Sequence, residues 1–447
     1  MAHELIESIS GARGIVGESM TPHLALHYGL ALGTYLEGGV VVVGGDSRTS
    51  HDCLKSAAAS GLMAAGCDVI DIGICPTPTV GIAIRNLKAR GGIAVTASHN
   101  PVQWNGLKVF NRKGEFITPQ QFDIFQRILS QPLLPLSEWK QVGSYGRYDK
   151  AADDHISRVL KLDAVNVRKI KRRKFKVVID CVNGGGSIPG PALLEKLGCN
   201  VTAINCDPDG RFPRGPEPVP AHLTQLRRKV LEKKADIGFA LDPDADRLAI
   251  VSNEGKAIGE EHTLAIALHA VLSQRRSPVV VNMSTSRMCQ DAAEKYGCKF
   301  YRSRVGEANV VELMRKKRSA IGGEGNGGVI FPASHYGRDS LVAIALVLQH
   351  LSESGKPVSD ATKDYPNYVI NKDKGELPVD FDIKLEKLKA KLSDVNIDET
   401  DGIRIDYSDS WVQVRKSNTE PIFRVIAEAR TKPKARDLVR TIKDLLK

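Results

Sequence analysis

The order helix, Gly-Cys, strand occurs three times in this chain, and this repeat constrains the fold more than any other feature. It occurs at Ala65-Gly66-Cys67-Asp68-Val69-Ile70, Leu197-Gly198-Cys199-Asn200-Val201 and Tyr296-Gly297-Cys298-Lys299-Phe300. Each copy follows an apolar strand, at residues 40–43, 176–179 and 278–281, and precedes a further strand that runs into a polar or glycine-rich loop. Self-similarity of this kind marks a repeated structural unit, here three α/β units. The repeated cysteine reads as packing, since Cys behaves as a small buried hydrophobe. A length of 447 residues is too great for one core. Boundaries are expected near 150, 254 and 366. Past Asp364-Tyr365-Pro366 the pattern changes to a charged amphipathic helix over 383–392, strands near 402–406 and 411–414, and a helix over 435–446. This last part reads as a small α+β domain.

The loops carry the chemistry. In the first unit the strand 92–95 leads into Thr96-Ala97-Ser98-His99-Asn100-Pro101, then Asn105-Gly106-Leu107-Lys108. Strand ends are where open α/β sheets place their sites, and a serine beside an imidazole can be activated or can carry a transferred group. A turn in which Ser98 or Asn100 caps a helix is the plain alternative. In the second unit the strand 237–241 leads into Asp242-Pro243-Asp244-Ala245-Asp246-Arg247. Carboxylates at alternate positions repel one another unless a cation sits among them, and oxygen ligands suit a hard ion such as Mg²⁺. A calcium EF-hand is excluded, because the positions that need Gly and Glu hold Arg247 and Asn253. A solvated acidic turn is the competing account.

The third unit leads through the short strand 319–321 into Gly323-Glu324-Gly325-Asn326-Gly327-Gly328. Its glycines allow close backbone approach, and Glu324 and Asn326 offer acceptors and donors to sugar hydroxyls. A flexible glycine turn is the alternative. The last domain contains Arg415-Lys416-Ser417-Asn418-Thr419-Glu420-Pro421, with Arg424 beyond it. Guanidinium forks, hydroxyls and an amide describe a phosphate cradle; a polar hairpin turn would look the same.

Together the four loops resemble the α-D-phosphohexomutase superfamily, in the expected order and over essentially the whole chain. The resemblance implies three similar α/β domains with mixed sheets (1–150, 151–253 and 254–366) plus a smaller C-terminal α+β domain (367–447), around a central cleft. It implies interconversion of hexose 6-phosphate and hexose 1-phosphate through a phosphoserine enzyme and a hexose 1,6-bisphosphate. Ser98 falls on the phosphoserine; Asp242, Asp244 and Asp246, with an oxygen of the Ser98 phosphate, fall on the Mg²⁺ ligands. Glu324 and Asn326 fall on the sugar-reading loop, and Arg415, Ser417, Asn418 and Thr419 on the phosphate loop, with Arg424 beside it. Lys108 and Arg13 are the implied acid and base, Arg247 a phosphate contact, and His99 a loop-orienting neighbour. Asp46 and Arg48 follow another strand; they are read as a helix cap that could also shape the cleft.

Two departures stand out. Many bacterial members carry Gly-Glu-x-Ser-Gly-His, where this chain has Asn326 and Gly328 in place of Ser and His, and nothing places His335 in the cleft. A lysine often found before that loop is Arg304 here; both can bind phosphate, though with different geometry, and Arg304 is expected among the substrate-binding residues. The Gly-Glu-Gly-Asn-Gly-Gly form and Ser10-Gly11-Ala12-Arg13-Gly14-Ile15-Val16-Gly17 look like a subgroup commonly assigned as phosphoglucosamine mutases. Phosphomannomutase and phosphoglucomutase stay open, because the three sugars differ at C2 while the loop is expected to read O3 and O4. A phosphatase using aspartate and water, and a phosphosugar-binding protein without turnover, are the readings from other classes.

The net charge of +11 attracts anions in general, and the basic clusters at 169–176 and 315–318 read as solvated helix ends. Aromatic content of only 5% argues against nucleic-acid binding. No apolar run is long enough to span a bilayer, and the eight cysteines form no metal-type pair. A cytoplasmic monomer or homodimer acting on a phosphosugar, without nucleic acid or membrane, is the expectation.

Overall fold

A computed structural model describes residues 5–390, 396–417 and 422–446. The repeat is visible as three sheets built on one plan. In the first, the parallel strands Gly39–Gly45, Cys67–Ile74 and Gly91–Val95 are joined by an antiparallel strand, Trp104–Asn111, that folds back against Gly91–Val95. In the second, Lys176–Asp180, Asn200–Ile204 and Ile237–Leu241 are parallel, and Leu248–Ser252 folds back against the last. In the third the parallel set is Val279–Asn282, Phe300–Ser303 and Ile321–Glu324, with Gly328–Ile330 folding back. The first strand of each set lies between the other two. Ile6–Ser8, Gly11–Ile15 and Tyr145–Arg147 extend the first sheet to seven strands.

This plan refines the sequence reading. Each of the first three loops is the hairpin connection between the third and fourth strands of its unit. A hairpin fixes its loop at both ends, so side chains at its tip are held more closely than at an open strand exit. The sugar-loop strand also begins later than expected, at Ile321, and carries Glu324 as its last residue.

The second and third units share one continuous apolar core. The helices Glu261–Leu272 and Ser340–Ser354 run through it and are buried along nearly their whole length, as helices apolar on every face must be. The last domain is a five-stranded antiparallel sheet with helices Phe381–Ala390 and Lys432–Leu446 and its own core around Phe381, Val412, Val425 and Ile442. Among the described residues no helix is long and apolar enough to cross a membrane.

Candidate active site

Ser98 sits at the tip of the first hairpin with φ of +51°. A non-glycine residue rarely adopts this left-handed conformation unless its surroundings fix it. The fixing group is Arg48, 1% exposed. Its Nη2 donates to the carbonyls of Ser98 and Asn100, and its Nη1 to those of Pro101 and Trp104, all at 2.7 Å. Asp46 holds the guanidinium from the other side at 3.2 Å and accepts from Thr96 Oγ1 at 2.5 Å. Thr96 Oγ1 in turn accepts from the Ser98 amide at 2.9 Å. The helix-cap reading of Asp46 and Arg48 is therefore corrected. Ser50 occupies the cap position of helix His51–Ala64, and the Asp46–Arg48 pair is the mould of the serine loop.

Directly against Ser98 lie the three aspartates, each at most 1% exposed. Asp242 Oδ1 accepts from the amides of Asp246 and Arg247 at 3.1 Å, which curls the loop, while its Oδ2 is 3.4 Å from Ser98 Oγ. Asp244 Oδ2 accepts from Thr77 Oγ1 at 2.7 Å and Lys108 Nζ at 2.5 Å. Asp246 Oδ2 accepts from Arg338 Nη2 at 2.6 Å. The remaining oxygens, Asp244 Oδ1 and Asp246 Oδ1, are buried without a hydrogen-bond partner. Buried acceptors are ordinarily satisfied. One oxygen from each aspartate can be chosen so that all lie within 4.8 Å of one another, so the donor set suits a hard divalent cation. The electrostatics agree: burial, then Asp246 and Asp244, push the Asp242 carboxyl well above the usual range. Burial also raises Asp244, but Lys108, Thr77 and Arg338 together outweigh it and hold the carboxyl below.

Around this cluster stand Arg247, its Nε 3.7 Å from Asp246 and 3.8 Å from Asp242, and Arg13, whose Nη1 donates to Asn100 at 3.3 Å. His99 Nδ1 is 3.4 Å from Ser98 Oγ. Arg247, burial and Arg13, in that order, hold its imidazole well below the usual pKa, so the ring is neutral near pH 7.

Glu324 faces the aspartates from the third unit. Its Oε1 accepts from Asn282 Nδ2 at 2.8 Å and the Gly306 amide at 3.1 Å, and its Oε2 from Arg338 Nη1 at 2.8 Å. A carboxylate has about four acceptor positions, so one is left for a ligand. Asn326 Oδ1 accepts from the Gly328 amide at 3.2 Å. Gly327, at φ of +86°, lies where a Cβ would come within 2.3 Å of the Leu248 carbonyl; only glycine lets the sugar loop press against the strand that leaves the metal loop.

The last domain is joined to the third unit by hydrogen bonds from Ser284 Oγ to Gln413 at 2.7 Å and from the Val305 amide to Asp401 at 2.9 Å. Arg304 is exposed and donates to the Thr400 carbonyl at 2.9 Å. Arg415 and Arg424 are directly opposite across the hairpin strands. Like charges so placed repel and favour an anion between them. Arg415 Nε has no hydrogen-bond partner, and the Asp401 and Glu324 carboxylates lie within its electrostatic reach. The Ser417 amide donates to the Ile422 carbonyl at 2.8 Å and closes the hairpin. Asn418 and Thr419 lie outside the described residues.

Three partners escape a reading of the sequence. Arg338 bridges Asp246, Glu324 and Glu307, the last at 2.8 Å. Thr77 and Asn282 anchor Asp244 and Glu324. Arg338 stands in Gly337-Arg338-Asp339-Ser340, where Asp339 caps the helix Ser340–Ser354, and nothing in that pattern signals the arginine beside the cap. His335 Nε2 is 3.1 Å from Asp339 Oδ2, the same oxygen that His155 Nε2 meets at 2.8 Å; it is structural.

Comparison with known proteins matches all four domains of the chain. Residues 6–132, 153–255 and 259–368 match the descriptions "Phosphoglucomutase/phosphomannomutase, alpha/beta/alpha domain" I, II and III, and residues 375–445 match the C-terminal domain of the same set. A probable phosphoglucosamine mutase of Methanopyrus kandleri is 37% identical over 96% of this chain and 95% of its own. A phosphoglucomutase/phosphomannomutase of Thermococcus kodakarensis is 38% identical over the same shares. The crystal structure of a phosphoglucomutase/phosphomannomutase family protein from Burkholderia thailandensis superposes with a TM-score of 0.85 at 29% identity, covering 98% of this chain and 96% of that one.

Proposed function

The chain belongs to the phosphoglucomutase/phosphomannomutase family of intramolecular phosphotransferases, and we propose that it converts glucosamine 6-phosphate to glucosamine 1-phosphate through a phosphorylated Ser98. The observation that carries this reading is the placement of Ser98 Oγ 3.4 Å from Asp242 within a buried aspartate cluster that has unpartnered oxygens. A water-using phosphatase would leave the costly left-handed Ser98 without purpose.

Asp242, Asp244 and Asp246 would hold Mg²⁺, with an oxygen of phosphorylated Ser98 as a further ligand. Bound there, the dication reduces repulsion between the carboxylates and an anionic sugar and screens charge on the transferring group, where phosphoryl transfer most needs help. The rest is positioning. The sugar O1 or O6 attacks phosphorus as the bond to Ser98 Oγ breaks. Lys108, held between Asp244 and Asp246, gives a proton to the departing serine oxygen and regains one from the attacking hydroxyl. The hexose 1,6-bisphosphate then turns end for end, and the reverse step rephosphorylates Ser98. Arg415 and Arg424 grip the phosphate that is not reacting. Glu324 takes one sugar hydroxyl in its remaining acceptor position and Asn326 another. The neutral ring of His99 orients Ser98, Arg13 is the second candidate for the proton transfer, and Arg247 draws the transferring group in. Eight free thiols suit a cytoplasmic setting.

The preference for glucosamine draws on relatives such as the Methanopyrus protein. Glucose or mannose phosphate is the second reading, favoured by the Thermococcus relative of that name and by a sugar loop expected to touch O3 and O4 rather than C2. Phosphorus NMR decides. The protein is given Mg²⁺, a trace of hexose 1,6-bisphosphate and one of glucosamine, glucose or mannose 6-phosphate. A 1-phosphate signal growing fastest from glucosamine 6-phosphate is expected. Inorganic phosphate alone, or no change in any tube, would overturn the mutase reading.

A further inference from the structure

A groove of 620 Å³ lies between the first and third units, lined by Arg85, Lys88, Arg90, Arg112, Lys113 and Arg315 with Glu115 the one carboxylate of its wall. None of these residues belongs to the site described above. Glu115 pairs with Arg315 as an ion pair, and the Arg315 guanidinium carbon sits over the Tyr336 ring, 3.8 Å from its centroid. Among the described residues the side chains of Lys88, Arg112 and Lys113 make no hydrogen bond or close ion pair, and Glu115 acts on Lys113 only at longer range.

The convergence of these cations is built into the backbone. Gly81 of helix Thr77–Asn86 and Gly114 of the 111–115 turn touch: a Cβ on Gly114 would come within 2.0 Å of the Gly81 carbonyl, and one on Gly81 within 2.4 Å of the Gly114 carbonyl. Two glycines thus let the turn bearing Arg112 and Lys113 dock on the helix that carries Arg85 in its last turn and leads to Lys88. Packing alone gives no reason to gather like charges, which repel across a Debye length of about 8–10 Å. Guanidinium forks and free ammonium groups around a concave wall match the oxygens of an anion with several phosphoryl groups.

From this groove we infer a second anion site, separate from the reaction cleft, for a small molecule carrying two or more linked phosphoryl groups. A contiguous cavity of 380 Å³ shares Arg112, Lys113 and Arg315 with it and runs inward to Phe116 and Glu307. The Phe116 ring centroid is 5.5 Å from Lys108 Nζ, and Glu307 accepts from Arg338 Nε at 2.8 Å. Occupancy therefore reaches two groups of the reaction cleft and alters turnover; this last step rests on the mutase reading, whereas binding does not.

The test is calorimetric titration of the full chain, without divalent metal, by inorganic tripolyphosphate and in parallel by adenosine triphosphate. The variant Lys88→Ser/Arg112→Ser/Lys113→Ser changes only exposed side chains and should bind both at least tenfold more weakly. Arg415→Ala, which weakens the cradle of the reaction cleft, should bind them as the unaltered protein does. Equal affinity for the two probes assigns the site to phosphoryl groups alone, and tighter adenosine triphosphate adds a contribution from the base. Unchanged binding by the triple variant, or loss of binding in Arg415→Ala, would overturn the site. Turnover unmoved at saturating tripolyphosphate would refute the coupling while leaving the binding result intact.

Discussion

Arg338 Nη2 meets Asp246 Oδ2 at 2.6 Å, so a side chain of the third unit holds an aspartate of the second. The same guanidinium holds Glu324 at 2.8 Å, which ties the metal loop to the sugar loop through one planar group. Ser340, two residues on, donates through its Oγ at 2.6 Å to the carbonyl of Ala245, the left-handed residue between Asp244 and Asp246. The segment 338–340 is in this sense a brace for the metal loop. Replacing Arg338 by Ala leaves three buried carboxylates without their shared partner, and removing one member of such a buried set costs about 3–5 kcal/mol. Arg338→Ala should lose both thermal stability and turnover. Arg338→Lys restores a charge without the fork and should recover stability more than kcat. Recovery of both in equal measure would reduce the arginine to a structural charge.

Ser98→Ala removes the phosphoryl carrier while keeping a loop fixed by main-chain carbonyls. Turnover should fall by at least about a thousandfold with an unchanged melting temperature, and phosphorylated protein should be absent by intact-mass measurement. Activity near that of the unaltered protein would dismiss the phosphoserine route.

Arg48 predicts a different signature. It touches no substrate in the proposed mechanism, yet it fixes four carbonyls of the serine loop. A displacement of about 1 Å at a reacting atom can cost on the order of a hundredfold in rate. Arg48→Lys should therefore lower kcat by roughly that factor and leave KM for the sugar phosphate nearly unchanged. A rise in KM with kcat intact would assign Arg48 to binding instead.

The repeat and the four loops could be read from the chain itself, because they depend on local features. Apolar strands announce themselves, and alternate aspartates such as Asp242, Asp244 and Asp246 have few explanations. Arg48 and Arg338 were obscured for the opposite reason. Their partners lie roughly 50 and 90 residues away, and each stands beside a residue that makes a sufficient local story, Asp46 as an apparent cap and Asp339 as a true one. The hairpin form of the loops was likewise hidden, since only pairing shows that Trp104–Asn111 folds back on Gly91–Val95.

His51 supplies a test of the fold that is independent of catalysis. It is 2% exposed at the start of helix His51–Ala64, and burial, reinforced by Lys55, lowers its pKa to about 4. In the unfolded chain the ring titrates near the ordinary value of about 6.5. Between these values the unfolded chain takes up the proton first, so folding loses stability as pH falls from about 6.5 to about 4 and gains nothing above. The full difference is on the order of 3 kcal/mol. His51→Gln removes this term alone. Urea unfolding of both proteins should give a constant stability offset above about pH 7, and below it the offset should move steadily in the variant's favour. Parallel curves throughout would show that His51 keeps access to water or finds a partner for its charge.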